Sequence, residues 1–557
     1  MAGRRRNAVG KNAGGKDIIR DIITGLLFVV AVSTVSHLAF SSLGFNPTDD
    51  GFILAGSRRL LDGQIPHRDF ITVRPAGSYL LYAPLLYYGG DYAIWLSRLA
   101  AWMEVAVIAW AWTSIISRVF NVMKPDYIRY AFAFVAFCLT AHNFPMMAWH
   151  SLDALCIASI GLFACSYDTA RSSGSLKAAG YFILGLSVLF RQNFIILIPA
   201  ALLLLGDWRN IRIWVLAFAP AAAYSGCMLL SGAFGDAVSQ FGVYGIKDGL
   251  KEAWEYMSKY HFWWGVFTGY VITLAVMKEG KTSKTLGLLG IYAAVLLALA
   301  SMDTSIAEYC GKAPFVLFGM TAGVIFNRIA RNMPLDKEIR WGSLALLIAF
   351  AVSLSKGYGS PAFAAGALAV WLFGFCISHG AREGKRAYTT ALTLVLLLSS
   401  IIIFYNERTS NIYRDKPAGS LSYDIGGVVR GGAFIKTNVN TYKMLLDLRQ
   451  LTDNLSAGKR RYCILPDLAV EWAESPQQNP LPTDWPQNTE LGSKELLDRS
   501  VGAIWKDRGM LVIIVEKYDM GSLPDSPSPL GDGYQTVNYV REHFKKTGET
   551  EYFELYE

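Results

Sequence analysis

Apolar runs of about 17 to 25 residues, each long enough for a helix to cross a hydrocarbon layer of about 30 Å, recur between Ile22 and Tyr405. In lipid every backbone polar group must find its partner inside the segment, so such a chain spans as helices. By run length there are about 13 spans, over 21–44, 92–117, 130–148, 151–169, 177–191, 193–206, 213–231, 263–278, 285–302, 314–330, 341–357, 360–380 and 388–405. Composition agrees: 53% of the 557 residues are hydrophobic and 17% charged, more apolar side chain than one soluble core needs. The fold class expected is an α-helical polytopic membrane protein.

After Tyr405 the pattern stops. Residues 406–557 are rich in charge, Pro, Asn and Thr and read as a separate soluble domain. Helical periodicity over 441–455 and 534–546, with β-branched and apolar runs at 461–465 and 510–515, predicts a small α/β domain. The Gly-rich stretch 426–432 lacks the following helix that a phosphate loop requires and reads as a loop near the membrane.

A net charge of +8 invites a nucleic-acid reading, but the basic residues fall in alternate short loops, where they set orientation. Arg118/Lys124/Arg129, Arg171/Lys177, Arg209/Arg212, Lys278/Lys281/Lys284, Arg328/Arg331/Lys337/Arg340 and Arg382/Lys385/Arg386 share one side with the basic tail 1–20. That side is expected to be cytoplasmic, and an odd number of spans then puts 406–557 outside. No nucleic-acid partner is expected. The first apolar run is followed by Pro47 and acidic residues rather than a small-x-small site, so a cleaved signal peptide is rejected. Seven cysteines show neither a disulfide framework nor metal-ligand spacing.

The first outer loop, 44–91, breaks the pattern, because it is long and carries charge of both signs. Thr48 or Asp49 can cap a helix that places Phe52, Ala55, Leu60 and Leu61 near helical spacing and ends at Gly63. This describes an amphipathic helix lying in the outer interface. Adjacent Asp49 and Asp50 at a helix start are also an ordinary capping feature. Beyond the helix come Ile65-Pro66-His67-Arg68-Asp69-Phe70 and then Arg74-Pro75-Ala76-Gly77.

In order and spacing these pieces resemble the GT-C superfamily of membrane glycosyltransferases, in particular the branch with protein O-mannosyltransferases and lipid A aminoarabinose transferases. The resemblance covers about the first hundred residues well and the whole span layout loosely. Family members carry an Asp-Glu or Asp-Asp pair, a Gly-x-x-Pro-Tyr-x-Asp-Phe-like stretch, and Lys-Pro-Pro or Lys-Pro-x-x-Gly. This chain has Asp50 where Glu is common and Arg74 where Lys is common; Arg brings a fork that Lys lacks.

The resemblance implies an inverting transferase that moves a sugar from a polyprenyl-phosphate donor to an acceptor hydroxyl at the outer membrane face. The acceptor is a glycan, lipid or protein, with membrane lipids as further partners. Such a reaction needs a carboxylate to take the acceptor's proton and a fixed cation for the leaving phosphate. Asp49 takes the place of the base. Asp50 orients the site or holds a cation, and the two roles are exchangeable at this stage. No cofactor is required, and a divalent cation remains open. Arg74 is the first choice for the phosphate and Arg191, in Phe190-Arg191-Gln192-Asn193, the second. An interfacial anchor is the plainer account of Arg191.

His67, Arg68 and Asp69 are candidates to contact substrate, as are His150 and Asp153, three apart on one helical face. Capping by Ser151 with Asp153 explains that turn equally well. Glu308 and Tyr309 in the outer loop 303–313 could line an acceptor path. Two rival classes stand beside the enzyme: a transporter or flippase for lipid-linked saccharide, and a non-catalytic envelope assembly protein. The first has little support in spans nearly free of paired acids and bases.

Overall fold

The computed structural model describes residues 2–123, 126–141, 146–167, 174–242, 313–354, 361–381 and 386–557. The expected spans 263–278 and 285–302, and with them Glu308 and Tyr309, lie outside the described residues. Membrane-side helices are α1 (Ala2–Phe40), α2 (Asp49–Leu61), α3 (Gly77–Gly89), α4 (Ala93–Phe120), α5 (Asp126–Ala141), α6 (His150–Cys165), α7 (Gly174–Leu186), α8 (Leu197–Leu204), α9 (Ile211–Leu230) and α10 (Phe234–Gly242). They continue with α11 (Ala313–Ala330), α12 (Lys337–Ser353), α13 (Ala365–Ala381) and α14 (Arg386–Ser410). Among the described residues four helical stretches, Ile18–Phe40, Gly77–Phe120, Ile211–Leu230 and Pro361–Ser378, are long and apolar enough to cross a membrane. The protein is an integral membrane protein.

The stretch Gly77–Phe120 is too long for one crossing and breaks at Gly90, whose φ of 49° suits glycine. The 28 residues of α4 reach about 42 Å and make the crossing, whereas α3, at about 20 Å, cannot. Both ends of α3 are held from the same face. Arg74, just before it, pairs with Glu490, and the carbonyl of Asp91, just after it, accepts from Ala433. α3 therefore runs along the face that carries the C-terminal segment, with Leu80, Tyr87 and Tyr88 exposed as interfacial residues.

At the opposite face, Asp21 of α1 gathers Arg118 at 2.7 Å, Arg129 at 2.5 Å and the Tyr167 hydroxyl at 2.6 Å. Arg118 and Arg129 are basic residues that the charge pattern assigned to one side. Between the faces, large buried rings such as Trp102, Trp112, Trp341, Trp371 and Phe137 fill the bundle core.

The apolar runs meeting at Arg191 form a hairpin. Lys177 and Tyr181 near the start of α7 both reach Asp207, just beyond α8, at 2.8 and 2.7 Å, so the chain reverses between them. The reversal is built from short 3-10 turns, Ser187–Leu189 and Gln192–Ile196, around an extended Arg191.

The C-terminal segment adds β1 (Tyr423–Asp424), β2 (Lys436–Thr437), α15 (Val439–Ala457), β3 (Arg461–Leu465), α16 (Lys494–Lys506), β4 (Leu511–Glu516), α17 (Gln535–His543), β5 (Lys546–Glu549) and β6 (Phe553–Tyr556). Its four-stranded sheet has the order β3-β4-β6-β5, with β3 and β4 parallel across the α16 crossover and the other pairs antiparallel. Alternation along β3 and β4 splits the sheet's faces. Cys463, Leu465, Ile513 and Val515 pack with Ile504, Val537 and Val540 of the sheet's own helices. Tyr462, Ile464, Val512 and Ile514 join a core shared with Ile53, Leu54 and Ala55 of α2 and Tyr79 of α3. The sheet is thus continuous in packing with the stretch 44–91.

That packing corrects the expected interfacial helix. α2 is buried along most of its length, Asp50, Gly51 and Ile53 through Ser57 included, between α3 and the C-terminal segment. Gly51 makes this possible, because a Cβ there would collide with the backbone of Val470.

Candidate active site

The turn into α2 is capped by neither acid. Thr48 makes no side-chain cap, and Asn46 Oδ1 instead accepts the N–H of Thr48 at 3.0 Å and of Asp49 at 3.1 Å. The two carboxylates are thereby released to other work, and the structure gives them different work. Asp50 is buried and forked by Arg98, Nε to Oδ1 at 3.1 Å and an Nη to Oδ2 at 2.8 Å, while Oδ2 also accepts the Asn46 N–H. Arg98 spends its remaining donors on the carbonyls of Ser41 and Gly44, both at 2.7 Å, and of Leu43 at 3.4 Å. A charge pair so enclosed holds α1, α2 and α4 together.

Asp49 sits at the edge, with its side chain 12% exposed. Its Oδ2 accepts from Tyr413 Oη at 3.0 Å and Asn46 Nδ2 at 3.2 Å and faces Arg414 at 3.5 Å. Its Oδ1 makes no hydrogen bond among the described residues. Burial pushes this carboxyl above the ordinary carboxylate range, against the pull of Arg414, Tyr413 and Arg74. A carboxyl raised in this way binds a proton more firmly than a surface Asp.

Beside the pair, the Arg74 guanidinium lies 5.5 Å from the Phe52 ring centre and donates to Glu490 at 2.6 Å. Phe52 also faces Trp485 at 5.6 Å and His150 at 6.1 Å. Aromatic and cationic groups so grouped suit a sugar ring next to an anion. Gly77 lets this loop abut the hairpin, since a Cβ would meet the Leu189 carbonyl, and Gln192 Nε2 holds the Val73 carbonyl at 3.0 Å.

Arg191, next to Gln192, is not an interfacial anchor. It is buried and donates to the Leu354 carbonyl at 3.0 Å, at the C-terminal end of α12, where the helix dipole favours a cation.

Three candidates fall elsewhere. His67 is buried in its own network, Nδ1 3.0 Å from Gln240 Oε1 and Nε2 2.7 Å from Tyr224 Oη, and ties the loop to α9 and α10. Arg68 and Asp69 pair with each other at 2.9 Å, and Asp69 accepts the Ile65 N–H at 2.7 Å, closing a tight turn. Asp69 also lines a cavity of about 480 Å³ with Arg59, Gln64, Arg499 and Lys506. His150 opens α6 and touches the Phe52 and Tyr79 rings, whereas Asp153 is fully buried one turn deeper. Ser151 does not cap this helix: the cap position is Trp149, and the Ser151 hydroxyl is buried without a hydrogen bond.

Sequence reasoning missed the C-terminal contributions: Tyr413, Arg414, Trp485 and Glu490. Trp485 and Glu490 sit on a strap, 479–490, clamped to the stretch 44–91 by Ile71 N–H to the Pro482 carbonyl at 2.6 Å and by the buried Arg59–Asp484 pair at 2.7 Å. Three prolines in Asn479-Pro480-Leu481-Pro482-Thr483-Asp484-Trp485-Pro486 are a signal for an extended segment laid on a surface. Asp467, which accepts from Trp485 and from Gln487 Nε2, supports the strap from below. Among the described residues no group of three or more His, Cys, Asp or Glu gathers to hold a metal.

No family model matches the chain, and no curated protein matches it. Solved structures do. The chain is similar to ArnT from Cupriavidus metallidurans bound to undecaprenyl phosphate, with 10% identity, 95% of this chain and 97% of that one covered and a TM-score of 0.42. The same protein in the apo state gives 11% identity, the same coverage and a TM-score of 0.41. The arabinosyltransferase EmbB from Mycobacterium smegmatis gives 14% identity, 71% of this chain and 42% of that one covered, and a TM-score of 0.32. The chemistry has to be read from this chain's own residues.

Proposed function

We propose that this chain is an inverting glycosyltransferase that moves a sugar from a polyprenyl-phosphate donor to an acceptor hydroxyl, at the extracytoplasmic face of a plasma or inner membrane. The observation that carries the reading is the division of labour in the acid pair: Asp50 is enclosed by Arg98, while Asp49 keeps Oδ1 open beside Arg74 and Phe52. In the proposed step the acceptor oxygen attacks the anomeric carbon as its proton passes to Asp49 Oδ1. The bond to the phosphate oxygen breaks, and the phosphate leaves with the bonding electrons toward Arg74. Glu490 aims the guanidinium through one of its five N–H donors. Phe52 and Trp485 offer faces for the sugar or acceptor ring.

A flippase for lipid-linked saccharide gains support from one observation, the acidic neighbours Glu104 and Asp153 between spans. One experiment separates the two. Purified protein in nanodiscs is given radiolabelled polyprenyl-phosphate sugar and candidate acceptors. The transferase reading expects labelled product and free polyprenyl phosphate, both lost in Asp49→Asn with donor binding retained. Lipid movement across the bilayer without product would overturn it.

A further inference from the structure

The cavity of about 480 Å³ beside Asp69 has no part in the proposed reaction, and its walls come from three separate parts of the chain. Arg59 of α2, with Gln64 and Asp69 beyond it, forms one wall, and the strap residues 479–482 form a second. Arg499, Gly502, Ala503 and Lys506 of α16 make the third. These four stand at i, i+3, i+4 and i+7, on a single face of the helix, with the two cations about 10 Å apart along its axis. Charge around the cavity does not cancel locally. Arg59 is matched by Asp484 at 2.7 Å, and Asp69 by Arg68 at 2.9 Å. Arg499 donates only to the carbonyls of His67, at 3.0 Å, and of Arg68, and Lys506 makes neither a hydrogen bond nor an ion pair among the described residues. Two cations without a carboxylate partner therefore line one cavity, which suits an anionic ligand.

Gly502 is an independent sign of the same thing. Glycine inside a helix weakens it relative to alanine, and here neither packing nor backbone conformation asks for one. A Cβ at 502 would meet nothing within 4 Å, and the residue lies inside α16 without a positive φ. What the missing side chain does is leave the helical wall of the cavity open between Arg499 and Lys506. The space exceeds what a lone phosphate fills and falls in the range of about 300 to 1,000 Å³ usual for small-molecule sites. Pro480, Leu481 and Pro482 add apolar surface for the C–H face of a sugar ring, and Asp69 adds an acceptor for its hydroxyls.

We propose that this cavity binds an anionic saccharide, with its phosphate or carboxylate between Arg499 and Lys506 and its ring over Gly502 and Ala503. The strap that walls the cavity continues to Trp485 and Glu490, so this site and the candidate active site share a segment without sharing a residue. The inference does not depend on the glycosyl-transfer reading.

The test uses the full chain in nanodiscs, titrated with glucose 6-phosphate, glucuronate and neutral glucose and followed by saturation-transfer-difference nuclear magnetic resonance, with inorganic phosphate as a competitor. Wild type is expected to bind at least one of the two anionic sugars saturably, and glucose about tenfold more weakly or not at all; which anionic sugar binds tells phosphate from carboxylate. Lys506→Gln, at an exposed side chain with no partner to lose, weakens binding about tenfold. Gly502→Leu puts atoms into the cavity without a clash at Cβ, so it abolishes binding while the melting temperature holds. Arg74→Ala keeps the affinity, which sets this site apart from the candidate phosphate position. Because no turnover is read, failure of the proposed reaction cannot be mistaken for failure of the site. The proposal is overturned by a wild type that binds neither anionic sugar, by glucose binding as tightly as they do, by inorganic phosphate competing as an equal, or by Lys506→Gln and Gly502→Leu both binding as wild type.

Discussion

Asp49 and Asp50 are chemically identical neighbours, and their surroundings separate them. Asp49→Asn keeps the size and most acceptor capacity of the side chain but cannot take a proton, so turnover is expected to fall by about 10²- to 10⁴-fold with the fold intact. Asp50→Asn acts on stability. It leaves Arg98 buried without its counter-charge, a change that costs about 3 to 5 kcal/mol. Thermal unfolding of the two variants side by side checks the assignment: an Asp50→Asn protein that melts with wild type contradicts it. Asp467 makes a different residue-level prediction. Burial raises its carboxyl from the ordinary 3.8 up to about 6, against the hydrogen bond from Trp485. The folded state then holds more protons than the unfolded one between these values. The contribution is complete below about pH 4 and lost as pH rises past 6, so stability falls with rising pH in that window. Asp467→Asn should flatten the decline by an amount on the order of 3 kcal/mol, read as the pH dependence of the melting temperature.

At the scale of elements, α2 holds the candidate site in place because it is pressed between α3 and the C-terminal segment. Gly51→Ala tests this directly. The added Cβ must push the Val470 backbone away, and such overpacking costs about 1 to 3 kcal/mol; the Tyr413 contact to Asp49 should loosen with it. A Gly51→Ala protein with wild-type stability and turnover would show that α2 and Val470 part without consequence. The helix from Asp49 to its end near Gly63 was legible in the sequence, because charges and apolar spacing are local signals, although its capping oxygen is that of Asn46 rather than of Thr48 or Asp49. That Asp49, Asp50 and Arg74 fall within one stretch, 44–91, is likewise a local feature of the sequence. The direction of α3 was not. A 13-residue apolar helix reads alike whether it crosses or lies flat, and only contacts at both of its ends decide. Tyr413 and Glu490 were beyond reach too, since their partners Asp49 and Arg74 lie 364 and 416 residues away in the chain. Arg191 pointed to a break between helices, yet its attachment to the end of α12 depends on a residue far along the sequence.

For the molecule as a whole, the sheet that shares a core with α2 and α3 makes the last part of the chain a wall of the candidate site. A protein ending at Ser410 retains every described membrane helix but lacks Tyr413, Arg414, Trp485 and Glu490. It is expected to insert and to show no transfer; measurable turnover would remove the C-terminal segment from the mechanism. A reporter fused after Glu557 should be active only on the extracytoplasmic side, and cytoplasmic activity would reverse the assigned orientation. Translation gives this architecture a consequence in time. Asp49 leaves the ribosome early, and the groups that complete its surroundings are among the last to be made and must still reach the same face of the bilayer. A nascent or stalled chain therefore lacks the completed surroundings of Asp49, however much of its membrane region has already inserted.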